Sequence, residues 1–314
     1  MLKVRCLAHQ AKPRQNLKLF SLVWGVFAPL SCSSSTCRFR VTDISPSIFV
    51  FCALVCEAKP LIRVWQLKKL PSSDHPFSIY VGTDRVLVVT GIGKINMAGA
   101  MSYALALFNK PHSPVLINLG IAGQRDEALG ALCLGHKITD RESGRCFYPQ
   151  MPFSVPCKTY SVVTACQPII DYSADEIYEM EAAGFYEIAV KFSLSELCHV
   201  MKIVSDNAHS SIADINEALV EAWVVGQIPA IEAIMKRLIE LRSLCIFPLN
   251  PVYQEMLEEF HFTVSRASKL KALLQRWQAL KGCEAIAWRE ANLRSAKELL
   301  FWIEQQLDNV DFLL

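Results

Sequence analysis

The sequence predicts an α/β fold: a three-layer αβα sandwich with a mixed, mostly parallel central sheet, plus a C-terminal helical extension. Three observations carry this. Continuous apolar runs rich in β-branched and aromatic residues recur between residues 48 and 207, which is how strands buried on both faces read. Helical patterns separate several of them, so the strands need crossover connections and pair in parallel. From about residue 212 the chain is helical almost to its end.

The elements follow in order. "IFVFCALV" (48–55) is the first strand and "RVLVVTGIG" (85–93) the second, ending in Gly91 and Gly93. "INMAGAMSYALALF" is a helix, and "PVLINLGIAG" (114–123) a third strand that ends in glycines. "LGHKITD" (134–140), "YSVVTACQ" (160–167) and "HVMKIVSDN" (199–207) are three more strands. "EIYEMEAAGFYEIA" (176–189) reads as one helix, acidic where the macrodipole is positive and then small at Ala182, Ala183 and Gly184. In the long stretch after residue 212, Pro229 should kink or break the helix. "PVYQEMLEEFHF", "SRASKLKALLQRWQAL" and "SAKELLFWIEQQLDNV" are further amphipathic segments, in which core packing is the default role of Trp277, Trp288 and Trp302. Three regions result: an N-terminal extension (1–47), an α/β domain (48–245) and a helical appendage (246–314).

Composition bounds the function. A chain of 314 residues with 52% hydrophobic and 20% charged residues has a sizeable core. A net charge of +2 supplies no field that would draw nucleic acid or an acidic membrane surface, so neither partner is expected. The twelve cysteines include no C-x-x-C pair, and Cys52, Cys56, Cys133, Cys166 and Cys198 stand in strand-like or helix-like segments, which suits a reduced, cytoplasmic protein. No metal-ligand spacing is present, and His136 and His209 read as ordinary polar residues. The first 47 residues hold seven Lys/Arg, one acidic residue and the apolar run "LFSLVWGVFAPLSC". The run is too short to span a bilayer and has some character of a secretory leader, which leaves export open beside a misassigned start or a poorly ordered extension.

In an open parallel sheet, ligands bind at the carboxyl ends of the strands. Glu57 follows the first strand, Gly91 and Gly93 the second, Gly120 and Gly123 the third, and Ser205 and Asp206 end the last. Each alone has a bland reading: a turn glycine, a solvated Glu57, a surface Glu181, an Asp206 that caps a helix. Together they place several carboxylates at one crevice.

"CALVCEAKPLI", "TGIGKINMAGA", "INLGIAG", "YEMEAAGFY" and "KIVSDN" resemble, in order, the motifs of the nucleoside phosphorylase/nucleosidase superfamily, and are most similar to its methylthioadenosine/S-adenosylhomocysteine nucleosidases. The resemblance spans about residues 48–243. It implies the nucleoside phosphorylase type of sandwich, no cofactor, a small-molecule nucleoside substrate and a homodimer. It implies that Met180 and Glu181 hold the ribose, that Asp206, with Ser205 beside it, protonates the departing purine, and that Glu57 activates water. The small residues after Glu181 would form a close helix–sheet contact, and an acid role for Asp206 calls for a pKa raised by burial. Asn207 departs from the family pattern and is a candidate for contact with the base, as are Phe147, Tyr148 and Phe153 in the loop 141–156. The arginine-bearing turns of the phosphorolytic branch are not evident, so hydrolysis of a purine nucleoside is expected. A phosphorylase, or a non-catalytic nucleoside-binding protein with a partner-binding tail, is the alternative.

Overall fold

The computed structural model describes residues 46–108, 113–245, 250–282 and 284–308. The N-terminal extension as far as residue 45 lies outside them. The elements are β1 (Ile48–Cys52), α1 (Val55–Val64), β2 (Lys68–Lys69), β3 (Ser78–Val81), β4 (Arg85–Val89), α2 (Lys94–Leu107), β5 (Val115–Gln124), β6 (Leu132–Asp140), β7 (Cys146–Phe147), β8 (Lys158–Thr164), β9 (Ile177–Glu179), α3 (Ala182–Ala189), β10 (Cys198–Asp206), α4 (Glu217–Cys245), α5 (Val252–Glu259), α6 (Val264–Lys281) and α7 (Ala296–Asp308).

One mixed sheet runs in the order β10-β6-β8-β9-β5-β1-β4-β3-β2, with β7 on β6 and a further β10–β5 pairing that closes the first five strands on themselves. The pairings β1–β4, β1–β5, β5–β10, β6–β8 and β8–β9 are parallel. The others are antiparallel and short, so the sheet is mixed and, by length of pairing, mostly parallel. The antiparallel pairs are β6–β10 and those made by β2, β3, β7 and β9, which have two to four residues each and too short a pattern to read.

Alternation along the strands sorts side chains to the two faces. Phe49 and Phe51 join the helices α2 and α3 in one apolar cluster, while Ile48, Val50 and Cys52 join α1 and α4 in another. The sheet therefore lies between two helical layers. The first strand is shorter than expected, because Leu54 ends the extended chain and α1 begins at Val55, with Pro60 inside it. Pro229 does not break α4, which continues from Glu217 to Cys245. A proline inside a helix costs about 3 kcal/mol, and burial on both sides of it, at Val220, Val224, Ile231, Met235 and Leu238, outweighs that cost. Among the described residues α4 is the one helix long and apolar enough to cross a membrane.

Helices α5–α7 have a core of their own, built on Met256, Leu270, Leu274, Trp277, Trp288, Leu299 and Ile303, with Trp302 packed against it. Packing is thus the role of all three tryptophans. The eight described cysteines are free thiols.

Candidate active site

The first carboxylate is set by a helix start. Glu57 stands in the first turn of α1, where its Oε2 accepts from the backbone N–H of Leu54 at 2.8 Å. That bond satisfies a donor the helix leaves open and puts negative charge at the positive end of the helix. Its Oε1 accepts from the N–H of Ile121 on β5 at 2.9 Å. Glu57 is almost fully buried, and burial pushes its pKa up to about 7 against the pull of those two amides and of Lys202.

The second group lies between β9 and α3. The segment 176–189 is not one helix: Ile177–Glu179 is a strand, and Glu181 stands at the N-cap of α3. Helical propensity loses here to pairing with β5 and β8. Glu179 takes over the capping. Its Oε2 accepts from the N–H groups of Glu181 and Ala182 at 2.9 and 2.8 Å, and its Oε1 accepts from Thr164 Oγ1 at 2.5 Å. Glu181 is thereby turned inward, where its Oε1 accepts from Gly93 N–H at 2.8 Å. Gly93 and Gly91 both have positive φ, which lets the turn before α2 aim that amide at the carboxylate. The small residues of α3 face a helix as well as the sheet. A Cβ at Gly184 would lie 2.6 Å from the Lys94 carbonyl oxygen at the start of α2.

Beneath these carboxylates lies a buried cation. Lys202 Nζ is 2.9 Å from Glu179 Oε2 and 3.9 Å from Glu181 Oε2. Burial alone would lower its pKa, but Glu179, Glu181 and Glu57 together raise it, so it stays charged. Gly120 leaves room for the meeting, since a Cβ there would lie 2.9 Å from Glu57 Oε1 and 3.4 Å from Lys202 Nζ.

The third group closes β10. A register shift between Val204 and Asp206 turns Asp206 toward Gly123. Ser205 Oγ is 2.5 Å from Asp206 Oδ1 and 3.3 Å from the Ala122 carbonyl, and the Tyr172 hydroxyl donates to Asp206 Oδ2.

These side chains share one cavity of about 200 Å³, lined by Glu57, Met180, Glu181, Ser205, Asp206 and Gly123. That far exceeds the roughly 10–15 Å³ that a single water needs. Leu54, Ile92, Ile121, Ile212 and Ile215 make its apolar wall, and Pro168 and Ile169 of the 165–176 loop also line it. Gly91, Gly93 and Gly120 stand behind the lining rather than in it.

Asn207 is not part of the lining. Its side chain is spent on a turn, donating to the Glu127 carbonyl and accepting from His209 N–H. Nor do the aromatics of the loop 141–156 reach the cavity. Phe147 packs on Tyr186, Phe153 on His199, and Tyr148 is exposed. Sequence reasoning missed Lys202, Glu179 and Tyr172. A lysine inside the otherwise apolar "CHVMKIV" was the available signal for the first, and Tyr172 had none. Among the described residues, no group of His, Cys, Asp and Glu is placed to hold a metal ion.

The chain is similar to solved nucleosidases. The Arabidopsis thaliana 5′-methylthioadenosine nucleosidase matches with 16% identity over 63% of this chain and 96% of its own, at a TM-score of 0.49. A futalosine hydrolase mutant of Helicobacter pylori matches with 14% identity over 61% and 99%, at 0.48. The Campylobacter jejuni 5′-methylthioadenosine/S-adenosylhomocysteine nucleosidase matches with 17% identity over 61% and 99%, at 0.45. These proteins are members of the nucleoside phosphorylase/nucleosidase superfamily. No protein-family model and no curated protein matches the chain.

Proposed function

We propose that the protein is a nucleosidase of the nucleoside phosphorylase superfamily that hydrolyses the N-glycosidic bond of a purine nucleoside, with a 5′-modified adenosine such as methylthioadenosine or S-adenosylhomocysteine as substrate. The observation that carries this reading is the meeting of Glu57, Glu181 and the Ser205–Asp206 pair at a single cavity.

Cleavage of this bond develops positive charge on the ribose and negative charge on the purine. A carboxylate with a pKa near 7 is poised as a general base at neutral pH, which suits Glu57 to take a proton from the attacking water. Glu181, anchored through one oxygen to Gly93, keeps its other oxygen for ribose hydroxyls, with Met180 against the sugar. Asp206 gives the purine its proton as the C–N bond breaks and the water oxygen bonds to the anomeric carbon. Ser205 serves both states of that acid. Its single hydrogen can go to an ionised Asp206, or to the Ala122 carbonyl while its oxygen accepts from a protonated Asp206.

Charge favours water over phosphate as the nucleophile. Glu57, Glu179, Glu181 and Asp206 line the cavity, and no Arg or Lys does so among the described residues. Lys202 lies beneath them, already paired with Glu179 and Glu181, and Lys94 is held by Asp140 and Glu142. A phosphate dianion would meet net negative charge, and among the described residues no cation lines the cavity to receive it. The test is free-base release from methylthioadenosine, S-adenosylhomocysteine, adenosine and inosine in phosphate-free buffer, by wild type and Asp206→Asn. Release by the wild type that the variant loses supports the assignment. Binding without release from any of the four would leave a nucleoside-binding protein.

A further inference from the structure

The loop joining β8 to β9, residues 165–176, is tied down at both ends. Cys166 N–H donates to Glu142 Oε1 at 2.9 Å, and the buried Gln124 donates through Nε2 to Asp175 Oδ1 at 2.6 Å. Between these anchors Tyr172 turns inward, its ring centroid 5.7 Å from that of Tyr178. Its hydroxyl donates to Asp206 Oδ2, while Ser205 occupies Oδ1. The room for this contact is left by Gly123, where a Cβ would lie 2.6 Å from the Tyr172 oxygen and 2.7 Å from Asp206 Oδ2. Tyr172 is not itself a lining residue of the cavity.

We propose that Tyr172 is a positioning residue for Asp206, which with Ser205 clamps both carboxyl oxygens in one orientation and holds the carboxylate that remains once the purine has taken its proton. This rests on the acid role assigned to Asp206 above. The chemistry of the pair is consistent. A buried carboxylate needs donors for its lone pairs, and hydrogen bonds to charged groups are the stronger kind. Burial, and then the Asp206 carboxylate, push the phenol's pKa up, so Tyr172 remains a donor across the neutral range. The other ionisable groups around the cavity are Glu57 from α1, Tyr178 and Glu179 from β9, Glu181 from α3 and Lys202 from β10. Glu57, Glu179 and Glu181 accept from backbone amides or Thr164 and Lys202 pairs with Glu179, whereas Tyr172 donates to Asp206.

The test is Tyr172→Phe in the full chain, which keeps the ring against Tyr178 and removes only the hydroxyl. In kcat/KM against pH with methylthioadenosine, we expect KM within about twofold of wild type and kcat lowered roughly tenfold. The alkaline limb, where the acid is lost, moves up by about one pH unit. A carboxyl ¹³C NMR titration of the unliganded protein, with the Asp206 signal assigned by its loss in Asp206→Asn, should show the same upward move. An unmoved limb with a lower KM would mean that Tyr172 merely obstructs the nucleoside, and would overturn the proposal. An unmoved NMR midpoint would overturn it as well. Should the wild type release no base at all, the nucleosidase reading fails, while the NMR midpoint still decides whether Tyr172 holds the carboxyl.

Discussion

Replacing Glu57 by Gln should change the pH dependence of stability in a direction that the structure fixes. Glu57 is held near 7 from an ordinary value of 4.5, almost wholly because it is buried. Below 4.5 the carboxyl is protonated in both the folded and the unfolded chain, and burial costs nothing extra. As pH rises past 4.5 the unfolded chain ionises first, so the folded state loses stability until about pH 7 and then levels off. A gap of about 2.5 pH units at about 1.4 kcal/mol each amounts to roughly 3 kcal/mol. The amide introduced by Glu57→Gln cannot titrate. The stability of Glu57→Gln minus that of wild type should therefore rise by roughly 3 kcal/mol between pH 4.5 and 8. Any constant loss, such as the amide nitrogen that replaces an acceptor for Leu54 or Ile121 N–H, cancels in that slope. Urea unfolding of both proteins by circular dichroism at several pH values measures it. A difference that stays flat or shrinks with pH would refute the burial of an uncharged Glu57.

Three further outcomes follow from the same geometry. If Glu57 is the base, the acidic limb of kcat/KM in the wild type lies near pH 7 and vanishes in Glu57→Gln, which a pH–rate profile reads. Asp206→Asn should lose about 10²–10⁴-fold in kcat while nucleoside still binds by calorimetry. Lys202→Met leaves Glu57, Glu179 and Glu181 without their shared cation. Its thermal unfolding should show a loss of about 3–5 kcal/mol at pH 8 and a smaller one at pH 5, where the carboxyls can take up protons instead.

The sequence showed what long patterns encode. The apolar runs at β1, β4, β5 and β10 were legible because strands buried on both faces leave no polar alternation to confuse them, while the glycines after β4 marked a turn with positive φ and those within β5 a place where side chains would crowd. Short elements hid themselves. Three residues of β9 inside a helix-like stretch could not outvote its propensity, so the N-cap position of Glu181 and the capping by Glu179 emerged only with the sheet. Lys202 was visible as an odd cation in an apolar strand, but its partners come from α1, β9 and α3, and no local pattern joins them. Tyr172 stands in a loop without periodicity, and its place over Asp206 depends on anchors at Glu142 and Gln124 that lie far off in the chain. Asn207 stays out of the cavity because the turn after β10 claims its side chain, which the sequence did not show.

The central claim is that water, not phosphate, meets the nucleoside in a cavity walled by carboxylates. It is tested most directly by the sugar that wild-type protein makes from methylthioadenosine in buffers with and without phosphate, identified by mass spectrometry. The account predicts free methylthioribose in both, at the same rate. Methylthioribose 1-phosphate, formed only when phosphate is present, would contradict it.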